Sequence, residues 1–236
     1  LKENIFLSIR NNPVDFFRRV LYKLTVGRIK YGRGDDYDAG RYWADRFSKY
    51  GRSLRGAGDE SLSEDDNIRL YAESSEVFLN LCLREGISFK DLRVLEIGCG
   101  TGFYTKILYR QGVMNYTGVD ITDVLFPMLR EMFPRYNFIK RDITVDKIDG
   151  EFDLVVMIDV IQHIVNNSKF AFALRNIDNS LVSNGILVLS PITDKNRKRF
   201  FYLRTWSLGD IKKVLPYYNY DEIVEFKYSN IALLRK

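Results

Sequence analysis

Val94-Leu95-Glu96-Ile97-Gly98-Cys99-Gly100-Thr101-Gly102-Phe103-Tyr104-Thr105 is the stretch on which the fold turns. An apolar run ends at Ile97, three glycines alternate, and a helical pattern begins at about Phe103. Glycine has no Cβ, so alternating glycines let a chain leave a buried strand sharply and bring its backbone against a ligand. The spacing here is Gly-x-Gly-x-Gly, whereas dinucleotide sites carry Gly-x-Gly-x-x-Gly. Glu96 stands two positions ahead of the first glycine. A helix N-terminus alone suits a pyrophosphate; a carboxylate beside it favours a cationic ligand.

Outward from this turn, short apolar runs alternate with helical periods. Residues 94–97, 116–119, 136–139, 152–158 and 185–189 read as strands, and 103–111, 123–133 and 168–182 as helices. Near-continuous apolar strands separated by helices predict an α/β fold, a doubly wound, mostly parallel sheet covered on both faces. A loop rich in Lys and Arg follows Leu189, then a helix at about 207–215. Two further strands, 223–226 and 231–234, are set to pair antiparallel across Tyr228-Ser229-Asn230, which brings the expected total to seven. Upstream, Ser63-Glu64-Asp65-Asp66 reads as an N-cap with carboxylates in the first turn. It opens a helix that buries Ile68, Leu70, Tyr71, Val77, Phe78, Leu81 and Cys82 and ends near Gly86.

In these residues the sequence resembles the class I S-adenosylmethionine-dependent methyltransferases. Glu96, Gly98, Gly100 and Gly102 match the family's first motif, with Cys99 inside it. Asp120 ends the second strand, 22 residues after Gly98. The resemblance implies that it accepts the ribose hydroxyls, with Ile121 beside it. Asp142 and Ile143 follow the third strand, where the family contacts the adenine. Residues 152–164 match the fourth-strand motif, so Asp159 and Val160 are implied at the methionine end of the cofactor. The resemblance covers residues 92–190 well and implies a Rossmann-like methyltransferase fold with S-adenosyl-L-methionine as cofactor and S-adenosyl-L-homocysteine as product.

Direct in-line displacement on a sulfonium methyl needs alignment, exclusion of water and, for a hydroxyl acceptor, a proton acceptor. His163, the only histidine, lies four residues beyond Asp159; these two are the catalytic candidates. An imidazole with a pKa near 6.5 is a usable base at neutral pH, and packing as part of the fold is the competing role. Cys99 reads as a small packing residue, since its neighbours supply no base. No metal is expected: with one histidine, only Asp159, Asp194 and Asn196 form an oxygen-ligand group, and their spacing compels nothing.

The 236 residues are 46% hydrophobic and 28% charged, which excludes disordered and fibrous classes. Net charge is +5, unevenly spread: +7 over residues 1–56, −7 over 57–193 and +5 over 194–213. An acidic body thus lies between basic flanks. Residues 1–62 are expected to form a basic helical extension and lid, and residues 63–236 the catalytic domain. Within the extension, Tyr42, Trp43 and Arg46 are the candidate substrate and lid residues, in a segment that reads as loop-like together with Tyr37, Tyr50, Arg52 and Arg55. The basic lid and the 194–213 loop, with Lys195, Arg197, Lys198, Arg199 and Arg204, would suit an anionic acceptor at the carboxyl edge of the sheet.

The expected acceptor is a small molecule or saccharide, through a hydroxyl. RNA or protein methylation is the alternative that the basic balance suggests. Nucleic acid is disfavoured by the lack of an Asn-Pro-Pro-Tyr-like motif, a catalytic cysteine pair or an RNA-binding module. Residues 14–31 hold Phe16, Phe17, Val20, Leu21 and Leu24 beside Arg18, Arg19, Lys23 and Arg28, which could lie on a membrane surface. Two isolated thiols, Cys82 and Cys99, fit a reducing compartment, so a cytoplasmic location is expected. No apolar run is long enough to span a bilayer, and Leu1-Lys2-Glu3 does not look like a secretory signal.

Overall fold

A strand buried on both faces alternates its side chains between two cores, and the sheet shows this residue by residue. The structure, a computed structural model, describes residues 13–236. Residues 1–12, and with them Leu1-Lys2-Glu3, lie outside the described residues, as do the side chains of Val14, Phe16 and Arg19. Strands β3 (Arg93–Ile97), β4 (Asn115–Asp120), β5 (Asn137–Lys140), β6 (Phe152–Ile158) and β7 (Leu181–Ile192) run parallel. β10 (Asn219–Phe226) and β11 (Ser229–Arg235) add an antiparallel edge, in the order β10-β11-β7-β6-β3-β4-β5. Val94, Leu154, Val156, Val188 and Leu233 enter one core, under α5 (Glu64–Arg84), α6 (Phe103–Arg110) and α7 (Phe126–Met132). Leu95, Val155, Met157, Leu187 and Leu234 enter the other, under α8 (Asn167–Ser180) and α9 (Leu208–Val214).

The chain leaves β3 toward β4 and β5, then returns to lay β6 on the other side of β3. This reversal opens a crevice at the carboxyl ends of β3 and β6, the place where doubly wound sheets bind ligands. The seven-stranded, mostly parallel sheet expected from the sequence is present, although β7 extends at both ends beyond residues 185–189. The final hairpin turns on Lys227 and Tyr228 instead of residues 228–230. Helix α5 is capped by Ser63, whose hydroxyl accepts from Asp66 N, with Glu64, Asp65 and Asp66 in its first turn. Its buried stripe is Asn67, Tyr71, Ser74, Phe78, Leu81 and Cys82, and Ile68 is exposed. Asn67 takes an inward position because its amide bonds Asp59 O and Ser63 O and accepts from Asp59 N.

The amino-terminal part departs most from its sequence reading. Residues 39–57 are helical: α3 (Ala39–Tyr50) is capped by Asp38, whose carboxylate accepts from Arg41 N, and α4 (Leu54–Ala57) is capped by Ser53. Glycine, β-hydroxyl and bulky aromatic residues are weak helix formers, which disguises the segment as a loop. Before it lie α1 (Pro13–Leu24), α2 (Val26–Tyr31) and the small hairpin β1 (Gly32–Arg33)–β2 (Asp36–Tyr37). The basic loop after β7 likewise holds a hairpin, β8 (Arg197–Phe200)–β9 (Leu203–Thr205). The two hairpins meet through Lys198 Nζ on Asp35 O at 2.6 Å. An aromatic cluster of Tyr31, Tyr37, Tyr42 and Tyr202 with Phe201 seals the junction.

Arg46, buried in α3, holds this region together. Its guanidinium donates to Gly56 O, Arg55 O, Gly58 O and Tyr42 Oη and lies 3.6 Å from Glu60. Removing one partner of a buried, charged hydrogen-bond network costs about 3 kcal/mol or more. We therefore expect Arg46→Ala to lower the thermal midpoint by roughly 6–12 °C. An unchanged melting curve would contradict this structural role.

Candidate active site

The site begins with the turn between β3 and α6. Gly98 sits at φ +74°, and a Cβ there would lie 2.2 Å from Val160 Cγ2. Gly102 has φ +79°, and a Cβ there would lie 2.4 Å from Leu129 Cδ2. Both the left-handed conformation and the contact therefore demand glycine. Gly98 N and Cys99 N donate to Val119 O, and Gly102 N donates to Cys99 O, so the turn is tied to β4 and to itself.

A cleft of about 1040 Å³, its open mouth included, lies along this turn. The structure brings Glu96, Gly98, Cys99, Gly100, Asp120 and Ile121 to its wall. Asp142, Ile143, Asp159, Val160, His163 and Trp43 complete the wall among the sequence candidates. Gly102 shapes the turn from behind. Tyr42 and Arg46 do not line the cleft; they flank Trp43, with Tyr42 edge-on to its ring at 5.4 Å and the Arg46 guanidinium 5.3 Å from it, and border a second space. Ala39, Trp43 and Phe47, four residues apart, share the side toward the cleft.

Asp120 is buried, and its Oδ2 accepts from Gly100 N (2.9 Å) and Oδ1 from Thr122 N (3.1 Å). Each oxygen keeps a lone pair for one further donor. Burial pushes its carboxyl up to about 6, against the pull of those N–H groups. Asp142 Oδ1 accepts from the backbone and hydroxyl of Thr144, which fixes the side chain and leaves Oδ2 for another donor.

Glu96 corrects the simple picture of an anion beside the turn. It is buried, with Oε2 accepting from Tyr116 Oη (2.6 Å) and Thr105 Oγ1 (2.8 Å). Burial lifts its carboxyl to about 7, so at neutral pH its charge is only partial until a cation approaches. Burial also raises the Cys99 thiol well above its ordinary value, which leaves it unreactive.

Asp159 adopts φ +61° at the end of β6, and its carboxylate is ion-paired with Lys227 of the β10–β11 turn. The Lys227 ammonium also lies 3.7 Å from the centre of the Tyr71 ring. The Asp159 carboxylate is thus committed to Lys227, and Asn196 Oδ1 to Arg204 Nε (2.8 Å), which disperses the oxygen-ligand group weighed from the sequence. His163 follows on a 3₁₀ turn, Ile161–His163. Its Nδ1 lies 3.0 Å from Tyr202 O, and Trp43 packs edge-on against the ring at 4.8 Å. Burial drives the imidazole down to about 4.

Sequence reading missed several wall residues. Tyr104 presents a buried hydroxyl with no hydrogen-bond partner at the cleft, an unmet donor that suits a polar ligand. Tyr37 Oη donates to His163 O (3.0 Å), Lys169 Nζ pairs with Asp36 (2.6 Å), and Asn166 Nδ2 donates to Asp35 (2.7 Å). These three links fasten the β1–β2 hairpin over the mouth. Each joins residues more than 120 positions apart, so no local signal marks them.

The comparisons agree with this geometry. The family described as a methyltransferase domain matches residues 95–189. A ubiquinone biosynthesis O-methyltransferase of Rickettsia bellii is 30% identical over 117 residues, covering 48% of this chain and 46% of that protein. A PKS-NRPS hybrid synthetase of Chaetomium globosum is 32% identical over 138 residues, 52% of this chain and 3% of that one. The chain spans less than half the length of the curated relatives it matches.

Among solved structures, the magnesium protoporphyrin IX methyltransferase of Synechocystis, with bound S-adenosylmethionine, superposes with TM-score 0.61 at 20% identity, covering 84% of this chain and 96% of that one. The N-methyltransferase NodS of Bradyrhizobium japonicum, with S-adenosylhomocysteine, gives 0.59 at 19% identity, covering 81% and 98%. These two show the shared fold.

The residues present fit such a cofactor. Asp120 has two acceptor positions for a ribose, Asp142 has one for an adenine amine, the glycine turn leaves room for backbone approach, and Tyr104 offers an unmet donor. Because Glu96 and Asp120 are raised, a cationic ligand must displace protons as it binds. Cofactor affinity should therefore rise roughly tenfold from pH 5 to 7.5, with proton release in buffers of different ionisation enthalpy. A flat profile would contradict the placement of these carboxyls. The turn and the strand-end acids fall inside residues 95–189, the segment that matches the methyltransferase-domain family, and the sheet around them has the fold of S-adenosylmethionine-dependent methyltransferases.

Proposed function

We propose that this chain transfers a methyl group from S-adenosylmethionine to a hydroxyl of a small-molecule or saccharide acceptor. The bound cofactor supplies an electrophilic methyl on a sulfonium. Glu96, Gly98, Gly100, Asp120, Ile121, Asp142 and Ile143 hold it at the carboxyl edge of the sheet, and Val160 and Asp159 border its methionine end. Trp43, Phe47 and Tyr71 wall the cleft with rings and keep water from the reacting atoms.

The observation that carries the hydroxyl assignment is the orientation of His163. Tyr202 O can only accept, so Nδ1 carries the proton and Nε2 keeps its lone pair. That lone pair would take the hydroxyl proton, and the bound cofactor would supply the methyl, its S–CH3 bond breaking to leave S-adenosylhomocysteine. Gln162 Nε2 lies 3.4 Å from His163 Nε2, too long to hold it firmly. The O-methyltransferase names of the relatives support this reading. Lys169 lines the cleft, where an anionic group on the acceptor would compete with Asp36 for its ammonium.

Membrane-peripheral placement is a second reading, favoured by Phe17, Leu21 and Leu24 exposed on α1 and Val26 and Ile29 exposed on α2. Among the described residues, no helix is long and apolar enough to cross a bilayer.

With the imidazole near 4, the base is deprotonated at every pH above about 5. Turnover against a panel of neutral and anionic hydroxylated acceptors should show no inflection near 6.5 attributable to it. His163→Ala should lower kcat about 10²–10⁴-fold and leave cofactor affinity nearly unchanged. Unchanged turnover in that variant would overturn the assignment.

A further inference from the structure

Helix α3 walls two cavities. Its Ala39, Trp43 and Phe47 face the cofactor cleft, whereas Tyr42, Arg46 and Lys49 face a second space of about 1350 Å³, its mouth included, bounded by α1, α2 and the α4 region. The two share no wall residue. Six cations line the second cavity: Arg18, Lys23, Lys30, Arg46, Lys49 and Arg55. Two carboxylates accompany them. Asp45 is held by Lys30 (2.7 Å) and the Tyr31 hydroxyl (2.8 Å), and Glu60 lies between Lys23 (3.5 Å) and Arg46 (3.6 Å).

Among the described wall residues, six cations thus face two carboxylates, four positive charges in excess. The Nε–H of Arg55 is buried with no acceptor, an open donor on the wall. Cations gathered from four segments of chain repel one another unless an anion joins them. Guanidinium and ammonium groups placed around a common space match the several oxygens of a phosphate. Tyr22, Tyr50 and Phe201 supply flat walls beside these charges.

We propose that this second cavity binds a phosphate or pyrophosphate group, carried by a soluble phosphoester or by a lipid headgroup. The exposed Phe17 and Leu21 neighbour Arg18 and Tyr22 on α1, so either source can reach the cavity. Trp43 and Phe47 of the same helix line the cofactor cleft, which shares no wall residue with this cavity. The site stands apart from the methyl-transfer reading, and its test reads binding instead of turnover.

The full chain is titrated with sodium pyrophosphate by calorimetry at low and high salt, alongside the variant Arg18→Gln/Lys49→Gln. Both positions are exposed, so the variant should keep the wild-type melting curve. Saturable one-to-one binding that weakens with salt is expected, with a loss of at least about tenfold in the variant and no displacement by S-adenosylhomocysteine. Vesicles of phosphatidylcholine with or without phosphatidic acid distinguish the sources. Capture only by the acidic vesicles, reversed by pyrophosphate, identifies a headgroup, and no capture identifies a soluble phosphoester. Absence of saturable pyrophosphate binding, binding equal in the variant, or displacement by S-adenosylhomocysteine would overturn the proposal.

Discussion

Gly98 and Val160 meet at a separation that leaves no room for a Cβ, and the rest of the site follows from that contact. Gly98 belongs to the turn after β3, Val160 to the segment after β6, and the two strands are neighbours at the point where the sheet order reverses. Seating one loop against the other places the Gly100 amide against Asp120 and sends residues 159–163 across the mouth. A side chain at Gly98 would both strain the backbone and push the β6 segment away. This one constraint therefore sets the positions of the Asp120 carboxylate and of the His163 imidazole.

The second layer of order is supplied by the amino-terminal elements. The β1–β2 hairpin is tied down by Asp35, Asp36 and Tyr37, and the aromatic cluster around Tyr42 and Tyr202 joins it to β8–β9. His163 is shaped by both sides, since Tyr202 O orients one nitrogen while Trp43 covers the ring. Opening the cleft to an acceptor must therefore disturb the hairpin, the Lys169–Asp36 pair or the α3 helix. The buried Arg46 cage limits how freely α3 can follow. The basic flanks of the sequence thus have two structural destinations: the β8–β9 hairpin, whose Tyr202 O meets His163, and a separate cationic cavity beside α3.

Much of the sheet was legible because buried parallel strands are apolar without interruption and the glycine turn marks where the first of them ends. Asp120 and Asp142 followed from their places after successive strands. The helix through Tyr42 was hidden by its composition, and with it the fact that Trp43 lines the cleft while Arg46 beside it does not. The raised carboxyl of Glu96 leaves no trace in the sequence, because its Tyr116 and Thr105 partners come from a neighbouring strand and helix. The Asp159–Lys227 pair spans 68 positions and depends on the β10–β11 turn, which nothing near Asp159 announces. Long-range polar contacts of this kind arise from topology, and local patterns carry no trace of them.

The central claim is that the strand-end carboxylate at Asp120 and the glycine turn hold S-adenosylmethionine. Equilibrium titration of the full chain with S-adenosylhomocysteine, in parallel with Asp120→Ala, tests it most directly. The account predicts one-to-one binding with a dissociation constant below about 1 mM in the wild type and its loss in a variant that remains folded. Absence of binding by the wild type, or equal binding by Asp120→Ala, would contradict it.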